Sequence, residues 1–452
     1  MKIKVYALIT VLLASAGSIH GREIGSSSPE RQGFSSDRLD RLTQFMEAKV
    51  DDGTMVGGLG VIARNGKVIY IESFGQADRE AGRVMEEDAI FRIYSMTKPI
   101  TGVALMMLYE EGKFRLSDPI AWYMPELANL EVALSTAGTG VISDGTVSRG
   151  VGETNEELLG KTRKPKRQPT IRDLLTHTAG FTYGIFGNTE VDQLYRQSET
   201  IGIMDQRNLQ QFVQDLGKLP LQYEPGAQWH YSVSVDVQGR LVEVLSGMSF
   251  GEFLRTRLFE PLDMKDTAFF VPSEKQSRLA QLYKPAGLTE LNFMAPTTGK
   301  GLEVADAYIS AGVLAPPEFE SGGAGLVSTA RDYLRFAQMM LNGGELDGVR
   351  ILSPKTAQLM TSNHLGDLPM GWGGKGLGFG LGFGLVLEPE STGEVSSAGE
   401  FNWGGAAGTR FWVDPEENLI GIFMVQSIPH RTRLAGDFKV LVYGAMSQRQ
   451  AD

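Results

Sequence analysis

The chain has 452 residues, 42% of them hydrophobic, which is enough for a globular protein of two subdomains. Because it contains no cysteine, disulfide bonds, thiol nucleophiles and a lipid-bearing N-terminal cysteine are excluded. The formal net charge of −11 argues against nucleic acid as a partner. A packed core must therefore supply the stability of the fold.

The N-terminus has the pattern of an export signal. Lys2 and Lys4 precede a largely apolar run over 5–16, which ends in small residues suited to cleavage. The run is shorter than the roughly 20 residues that a membrane span needs. We therefore expect a signal peptide over 1–21, an exported protein in the periplasm or the medium, and no stable membrane insertion. A retained interfacial anchor is the alternative.

The first part of the mature chain predicts one helix and one hairpin. Apolar residues recur at helical spacing over 36–50. Strand patterns follow at 58–63 and 67–72, and the Asn65-Gly66 pair between them is a strong hairpin signal.

Ser95 and Lys98 stand three residues apart at the start of a helix-like apolar run over 99–108. Positions i and i+3 share one face of a helix, so the Lys98 amine can reach the Ser95 hydroxyl. Serine becomes a nucleophile when a neighbouring base takes its proton, and a desolvated lysine can be that base. Free backbone N–H groups in the first turn also favour developing negative charge. The alternative is that Ser95 only caps the helix.

The middle of the chain has a mostly helical pattern with one break over 134–169, which is rich in Gly, Thr and Ser. We expect an exposed insertion here that overhangs the site, since long irregular loops tend to be functional or disordered. It ends in a basic patch over 161–167, which is expected to be solvated rather than to bind an anionic substrate.

Strand patterns return near the C-terminus at 380–386, 408–413 and 419–425, before a helix over about 435–446. Strands at both ends of the chain with helices between them predict an α+β fold. In that fold, one antiparallel sheet forms from the N- and C-terminal parts and is flanked by helices.

The same pattern predicts two domains. The α/β domain is discontinuous and is expected over 22–120 and 300–452. An all-helical domain is expected as an insertion over 121–299, and it includes the break described above.

Tyr231 begins a Tyr-Ser-Val motif at the junction of a loop and an apolar helix. A phenol whose pKa is lowered by a nearby lysine can shuttle protons to and from a serine. The alternative is an ordinary half-buried tyrosine whose hydroxyl is satisfied.

Trp403-Gly404-Gly405-Ala406 precedes a strand, and its glycines would let the backbone approach a ligand closely. An N–H group at Ala406 facing that of Ser95 would form a two-donor oxyanion hole. The alternative is a common glycine-rich turn.

Three motifs occur together in an order and at separations typical of one family: Ser95-x-x-Lys98, Tyr231-Ser232-Val233 and Trp403-Gly404-Gly405. The sequences at 170–180, 259–264 and 321–326, which connect the motifs, are also similar to those of this family. From about residue 30 to 445 the chain resembles the penicillin-recognising, β-lactamase-like serine hydrolases. These include class C β-lactamases, D-alanyl-D-alanine peptidases and the family VIII carboxylesterases.

The resemblance implies an antiparallel sheet flanked by helices, an all-helical domain and a site between them. It also implies that Ser95 is the nucleophile and that Lys98 and Tyr231 share the general-base work. The N–H groups of Ser95 and Ala406 would bind the oxyanion. No cofactor is implied, and no histidine of the mature chain shows metal-ligand spacing, so we expect no metal.

Two positions depart from the β-lactamase and peptidase pattern. Val233 stands where those enzymes usually carry Asn or Ser for a substrate amide. Trp403 and Gly404 stand where they carry Lys or His and then a hydroxyl for a carboxylate. Because unpaired polar groups are costly, such a site should discriminate against charged amide substrates. The residues expected to contact an uncharged acyl group are Phe181, Val233, Trp403, Gly404, Gly405 and the segment 379–385.

Ser249 lies in a G-x-S-x-G sequence at 247–251, the nucleophile elbow of α/β-hydrolases. An elbow needs a strand before it, whereas a helical run precedes this one. Ser249 is therefore predicted to be a helix N-cap. His177 is expected to orient a loop, and His230 to line the pocket beside Tyr231.

The pattern as a whole resembles that of the carboxylesterase branch and predicts hydrolysis of small, short-chain acyl esters through an acyl-enzyme, with weak β-lactam hydrolysis as a side activity. The alternatives are a β-lactamase, a D-amino-acid peptidase or amidase, and a penicillin-binding protein with little turnover.

Overall fold

The computed structural model describes residues 23–134, 162–199, 207–288, 301–306, 311–371, 374–430 and 432–449. The signal peptide predicted over 1–21 lies outside the described residues. So does most of the insertion predicted over 134–169.

The strands of the described residues are short except for the first two. In chain order they are β1 (Gly57–Arg64), β2 (Lys67–Asp78), β3 (Arg83–Val84), β4 (Phe91–Arg92), β5 (Val132–Ala133), β6 (Thr162–Arg163), β7 (Tyr283–Pro285), β8 (Leu302–Val304), β9 (Val327–Ser328), β10 (Glu345–Leu346), β11 (Val349–Arg350), β12 (Leu377–Phe379), β13 (Gly384–Val386), β14 (Phe401–Gly404), β15 (Arg410–Asp414) and β16 (Leu419–Val425).

The helices of the same residues lie mainly between the first and last strands. They are α1 (Ser36–Asp51), α2 (Thr97–Glu110), α3 (Ile171–Leu175), α4 (Glu190–Gln197), α5 (Leu209–Leu216), α6 (Ser234–Ser246), α7 (Phe250–Leu254), α8 (Ala330–Leu341), α9 (Pro354–Met360), α10 (Pro389–Thr392) and α11 (Leu434–Gly444). The 3-10 turns are Pro29–Gln32, Tyr94–Met96, Ile120–Trp122, Pro125–Leu127, Ser273–Arg278 and Ala311–Val313, and a π-helical turn spans Arg255–Phe259.

One eight-stranded antiparallel sheet has the order β12-β13-β14-β15-β16-β1-β2-β3. It joins strands from the two ends of the chain, because β1 pairs with β16 along its length. The α+β fold with a sheet built from both termini is therefore confirmed. The exact domain bounds predicted from the sequence remain a prediction.

The two faces of the sheet follow the alternation of side chains along a strand. Leu59 and Val61 of β1 join one core cluster, whereas Ile62, the next residue along the strand, joins another. The second cluster also contains α1 and α11, which pack against each other on that face. Helix α8 packs against β1, β15 and β16 on the first face.

The hairpin β1–β2 is confirmed, and its turn shows why the Asn-Gly pair predicts it. Asn65 and Gly66 both have positive φ, 54° and 69°, as a two-residue type I′ turn requires. The helices predicted at 36–50, 99–108 and 435–446 correspond to α1, α2 and α11.

Two expectations near the C-terminus were wrong in detail. The run predicted as one strand at 380–386 is a hairpin: β12 ends at Phe379, Gly382 turns with φ of 98°, and β13 begins at Gly384. The tryptophan motif at 403–406 is not only a turn, because Phe401–Gly404 is itself strand β14. In both places glycine hides the period-2 pattern, since it presents no side chain to either face.

Helix α2 lies between the sheet and the helical part of the molecule. Its residues from Thr97 to Leu108 are all buried, which explains why this stretch is apolar on every side. It contacts α6 on the helical side. The residues just before α2 therefore lie at the junction of the two parts.

Part of the basic patch at 161–167 is described. Arg167 binds Asp173 at 2.6 Å and Arg163 binds Glu224, and both arginines remain nearly half exposed. Both arginines are partly solvated, as expected of a solvated charge run, although each is paired with a carboxylate and that of Asp173 is buried.

Candidate active site

Ser95 lies in the 3-10 turn Tyr94–Met96, directly before α2. The turn is entered through Tyr94, whose φ of 42° is uncommon for a residue other than glycine. Ser95 is half-buried, whereas Lys98 is only 2% exposed. Lys98 Nζ lies 3.1 Å from Ser95 Oγ, so the contact expected from the i, i+3 spacing is present.

The Lys98 amine is held in an environment that favours its neutral form. Burial lowers the pKa of Lys98 from 10.5 to about 7, and the charge of Asp236 opposes this effect. Nζ also donates to the carbonyl of Gly323 at 2.7 Å and lies 4.5 Å from the centre of the Tyr231 ring. Near neutral pH, a large fraction of such an amine is free to accept a proton.

Tyr231 lies just before α6 and is almost completely buried. Burial raises its pKa, while hydrogen bonding to Ser95 and Trp403 acts in the opposite direction. A lowered pKa, the condition considered above for proton shuttling, does not apply to Tyr231, because burial outweighs the contacts that lower its pKa. Tyr231 is therefore a neutral phenol, suited to donate and relay a proton.

Aromatic rings surround Tyr231 on several sides. The ring centres of His177, Tyr183, Phe186, Trp229 and Trp403 lie between 4.9 and 6.0 Å from that of Tyr231. These distances are typical of offset or edge-to-face aromatic pairs. An apolar wall therefore flanks the serine, the lysine and the tyrosine.

The structure brings some predicted pocket residues into this wall and not others. Trp403 contacts Tyr231, and Phe379 contacts Trp403 with ring centres 5.3 Å apart. Val233 is fully buried at the N-cap of α6. Phe181 is fully buried as well, so its contact with an acyl group stays a prediction. Sequence reasoning missed Tyr183, Phe186 and Trp229.

Gly404 ends β14, and Gly405 brings the following turn against the segment that leads to Ser95. A Cβ atom at Gly405 would collide with the carbonyl of Ile93 and the hydroxyl of Thr409. Only glycine fits at this distance, which is the reason for the second glycine of the motif. The turn after β14 is therefore pressed close to the serine.

Ala406 follows in that turn. Its carbonyl accepts a hydrogen bond from the His430 amide at 3.1 Å, which fixes the peptide. Among the described residues, the Ala406 amide donates to no backbone carbonyl, so it is available to a substrate oxygen. Ala406 shares an apolar cluster with Tyr94, the neighbour of Ser95. The two-donor oxyanion hole remains a prediction that this geometry supports.

The loop at 321–326 supplies a contact that sequence reasoning missed. Gly323 offers its carbonyl to Lys98, and the loop is bound in turn by the buried carboxylate of Asp236. The resemblance of residues 321–326 to the family sequence pointed to this loop, but no spacing rule links the loop to Lys98. Asp236 has the pattern of an ordinary acidic residue in the first turn of a helix.

Comparison with known proteins decides the family. The family model described as Beta-lactamase matches residues 42–442. This chain belongs to the Beta-lactamase family. An uncharacterized Mycobacterium tuberculosis protein is 32% identical over 393 residues, 84% of this chain and 88% of that protein.

Three proteins whose names include an activity are similar to this chain over most of their length. Esterase EstB of Burkholderia gladioli is 29% identical, covering 83% of this chain and 86% of EstB. The Escherichia coli K12 protein named "Putative D-alanyl-D-alanine carboxypeptidase" is 26% identical, covering 89% and 85%. The solved structure of EstCE1, "a hydrolase with promiscuous acyltransferase activity", has a TM-score of 0.71 and 26% identity, covering 90% and 99%.

These matches show that this member of the Beta-lactamase family is a serine hydrolase with the family fold. The resemblance inferred from the three motifs is confirmed. The role of each site residue is not decided by the comparisons and is argued below.

Ser249 caps a helix in this member of the Beta-lactamase family. It is the N-cap of α7, where its Oγ accepts a hydrogen bond from the Glu252 amide at 3.2 Å. Helix α6, not a strand, precedes it. The prediction of an N-cap is confirmed.

His177 is buried and holds the loop before Tyr231, as expected. Its carbonyl accepts from the His230 amide at 2.8 Å, and its Nδ1 accepts from the Ser232 amide at 3.3 Å. Burial lowers the pKa of His177 well below its ordinary value, so the ring is neutral. The His230 ring instead contacts Tyr223 and the Thr182 hydroxyl, and its place in the pocket stays a prediction.

The described residues contain neither a candidate metal-binding cluster nor a candidate membrane-spanning helix. No group of three or more His, Cys, Asp or Glu side chains there could hold a metal ion. None of the helices there has the length and apolar character needed to cross a bilayer.

Proposed function

We propose that this serine hydrolase is a carboxylesterase that cleaves short-chain acyl esters through an acyl-enzyme on Ser95. The observation that carries the proposal is the apolar character of the wall. Val233 and Trp403 are buried where a charged amide substrate would need polar partners. A substrate group that cannot recover its lost hydrogen bonds binds poorly, so an uncharged ester is favoured.

Acylation begins with the nearly neutral amine of Lys98. Ser95 Oγ attacks the ester carbonyl carbon while Lys98 Nζ takes the hydroxyl proton, as their 3.1 Å contact allows. The carbonyl π-electrons move to oxygen. The N–H groups of Ser95 and Ala406 stabilise the resulting oxyanion.

Collapse of the tetrahedral intermediate restores the carbonyl and breaks the bond to the alcohol oxygen. The Tyr231 phenol, which is neutral because burial raises its pKa, donates its proton to the leaving alcohol. The proton held by Lys98 then restores Tyr231. The acyl-enzyme remains on Ser95.

Deacylation reverses these roles with water in place of the alcohol. Lys98, through Tyr231, takes a proton from the attacking water, and the Ser95 oxygen leaves with a proton returned from the same pair. The products are a carboxylic acid and the free enzyme. An alcohol that replaces water would give acyl transfer, the promiscuous activity of EstCE1.

The rings of the wall also support a small acyl group. Trp229, Trp403 and Phe379 are each less than 10% exposed, and Phe379 contacts both tryptophans. Esterase EstB, with 29% identity, supports the same substrate class.

Amide hydrolysis is the second candidate, with a β-lactam or a D-amino-acid peptide as substrate. The relatives named as D-alanyl-D-alanine carboxypeptidases favour it. The same Ser95, Lys98 and Tyr231 would acylate on an amide carbonyl. A long-lived acyl-enzyme with little turnover would instead indicate a penicillin-binding protein.

The deciding experiment compares kcat/KM for p-nitrophenyl butyrate and a chromogenic cephalosporin on the purified mature protein. We expect fast ester turnover, slow cephalosporin cleavage, and loss of both in Ser95→Ala. Ser249→Ala is the matched control and should keep full activity. Faster cleavage of the cephalosporin than of the ester would favour amide hydrolysis as the function. Ester turnover that survives Ser95→Ala would refute the assignment of Ser95 as the nucleophile.

We also propose that the enzyme acts outside the cytoplasm, on the evidence of its N-terminal sequence. Mass spectrometry of the protein recovered from the producing cells should then show that residues 1–21 are removed. An intact N-terminus on cytoplasmic protein would refute this.

A further inference from the structure

A carboxylate is buried beside the site without touching the nucleophile. Asp236 lies in the first turn of α6 and is fully buried. Its Oδ1 accepts hydrogen bonds from the Ser321 hydroxyl at 2.6 Å and from the Gly323 amide at 3.0 Å. Gly323 in turn accepts from Lys98 Nζ at 2.7 Å. One short loop therefore connects the carboxylate to the base.

The loop is closely packed against the residues around Lys98. A Cβ atom at Gly323 would lie 2.7 Å from the Tyr183 hydroxyl and 2.9 Å from Asp236 Oδ2, so no side chain fits there. The preceding carbonyl, of Gly322, accepts from the Thr101 hydroxyl of α2 at 2.8 Å. The loop is thus clamped between α2, which carries Lys98, and α6, which carries Asp236.

The titratable groups that face Lys98 differ in charge. His177, Tyr183, Tyr231 and Asp236 are the titratable groups that face it, and the first three are neutral near pH 7. Among the described residues Lys98 makes no direct ion pair. Asp236 is the group whose charge opposes the loss of the Lys98 proton.

We infer that Asp236 is a positioning residue that holds the loop at 321–323 against the Lys98 amine and sets the strength of that amine as a base. The inference rests on the proposed roles of Ser95 and Lys98. Asp236 does not touch the substrate. It acts through Gly323 and through its charge.

Asp236→Asn removes the charge and keeps the shape. An opposite charge nearby shifts a pKa by about one to three units, so the pKa of Lys98 should fall by about one unit or more in this variant. The acid limb of the pH profile should move to lower pH by the same amount. The plateau should fall about tenfold or more, because the base is weaker and less well held.

The test follows the second-order rate at which a fluorophosphonate labels Ser95, over pH values on both sides of neutrality. This probe reacts with the activated serine whether the natural substrate is an ester or an amide. Asp414→Asn is the matched control: Asp414 is also a fully buried carboxylate, bonded to Ser397 and Tyr443 on the other face of the sheet. It should leave the acid limb in place.

Ser321→Ala keeps the charge and removes the hydrogen bond that the hydroxyl donates to Asp236 and the one that it accepts from the Ala324 amide. It therefore tests the positioning effect even where Asp236→Asn does not fold. Its plateau should fall about tenfold with an unmoved limb. If the acid limb of the labelling-rate profile does not move in Asp236→Asn, or if the plateau rate does not change in Ser321→Ala, the inference is overturned. Absence of labelling at Ser95 in the wild type would refute the proposed nucleophile instead, so the two failures are distinguishable.

Discussion

Lys98 and Lys439 are equally buried, with 2% of each exposed, yet they have different partners. Lys439, on α11, lies 2.7 Å from the fully buried carboxylate of Glu400. Tyr443 joins the same cluster with a hydrogen bond to Asp414 at 2.7 Å. Lys98, on α2, instead has the Ser95 hydroxyl and the Gly323 carbonyl as its partners.

The difference shows how the fold separates a structural lysine from a reactive one. Burial lowers the pKa of both amines. Glu400 acts against this lowering of the pKa of Lys439, and the ion pair between the two side chains ties α11 to the sheet. Asp236 affects Lys98 only through an intervening loop, and the pKa of Lys98 stays at about 7. A direct carboxylate would convert the base into a structural ion pair.

The largest effect is expected from removing the reactive lysine. Lys98→Met keeps the length of the side chain, and the buried Asp236 carboxylate keeps its hydrogen bonds from Ser321 and Gly323, so the protein should fold. It should lower kcat/KM for p-nitrophenyl butyrate about 10³-fold or more, because no other group near Ser95 can take its proton near neutral pH.

Lys439→Met is the matched control for that variant. Its kcat/KM per folded molecule should stay close to the wild-type value, since Lys439 lies on the opposite face of the sheet. A loss of activity as large as that of Lys98→Met would contradict the division of roles. So would Lys98→Met activity within tenfold of the wild type.

The next effect concerns stability rather than rate. Lys439→Met should reduce the free energy of unfolding by about 3–5 kcal/mol, because it leaves the Glu400 carboxylate buried without its cation. Denaturant unfolding near pH 7 measures the loss. Adding Glu400→Gln to Lys439→Met should restore much of it. A double variant as unstable as the single one would show that packing, not charge, accounts for the loss.

The two buried tyrosines extend the comparison. Tyr231→Phe removes the proton relay and should lower kcat about 10²-fold with little change in KM. Tyr443→Phe breaks only the bonds to Asp414 and Glu400, so it should lower stability and leave kcat unchanged. Equal kcat values for Tyr231→Phe and the wild type would assign the leaving-group proton to another donor.

Much of the fold could be predicted because its signals are local. The alternation of Leu59, Val61 and Ile62 and the Asn65-Gly66 turn each determine a neighbourhood of a few residues. Where glycine interrupts the pattern, as at Gly382 and Gly404, the strand bounds could not be predicted.

Some contacts of the site could likewise be predicted from the sequence, and others could not. The contact between Ser95 and Lys98 follows from helical geometry, and the order of the motifs assigns Tyr231 and Trp403 to one site. The contacts of Asp236 with Ser321 and Gly323 span 85 and 87 residues of sequence, and no local pattern predicts them. The direction of the pKa shift of Tyr231 depends on its burial among five aromatic rings, which the sequence does not reveal.

The smallest effect tests the pKa of Lys98 directly. Only the neutral amine accepts the Ser95 proton, so activity needs the deprotonated form and must fall as the pH decreases below about 7. On the acid side of that value kcat/KM should decrease about tenfold for each pH unit, since one proton is bound. Glu400→Gln removes the charge beside Lys439 and should leave this limb unmoved. An acid limb with its midpoint near the ordinary lysine value of 10.5 would show that burial does not tune Lys98 and would remove the distinction between the two lysines.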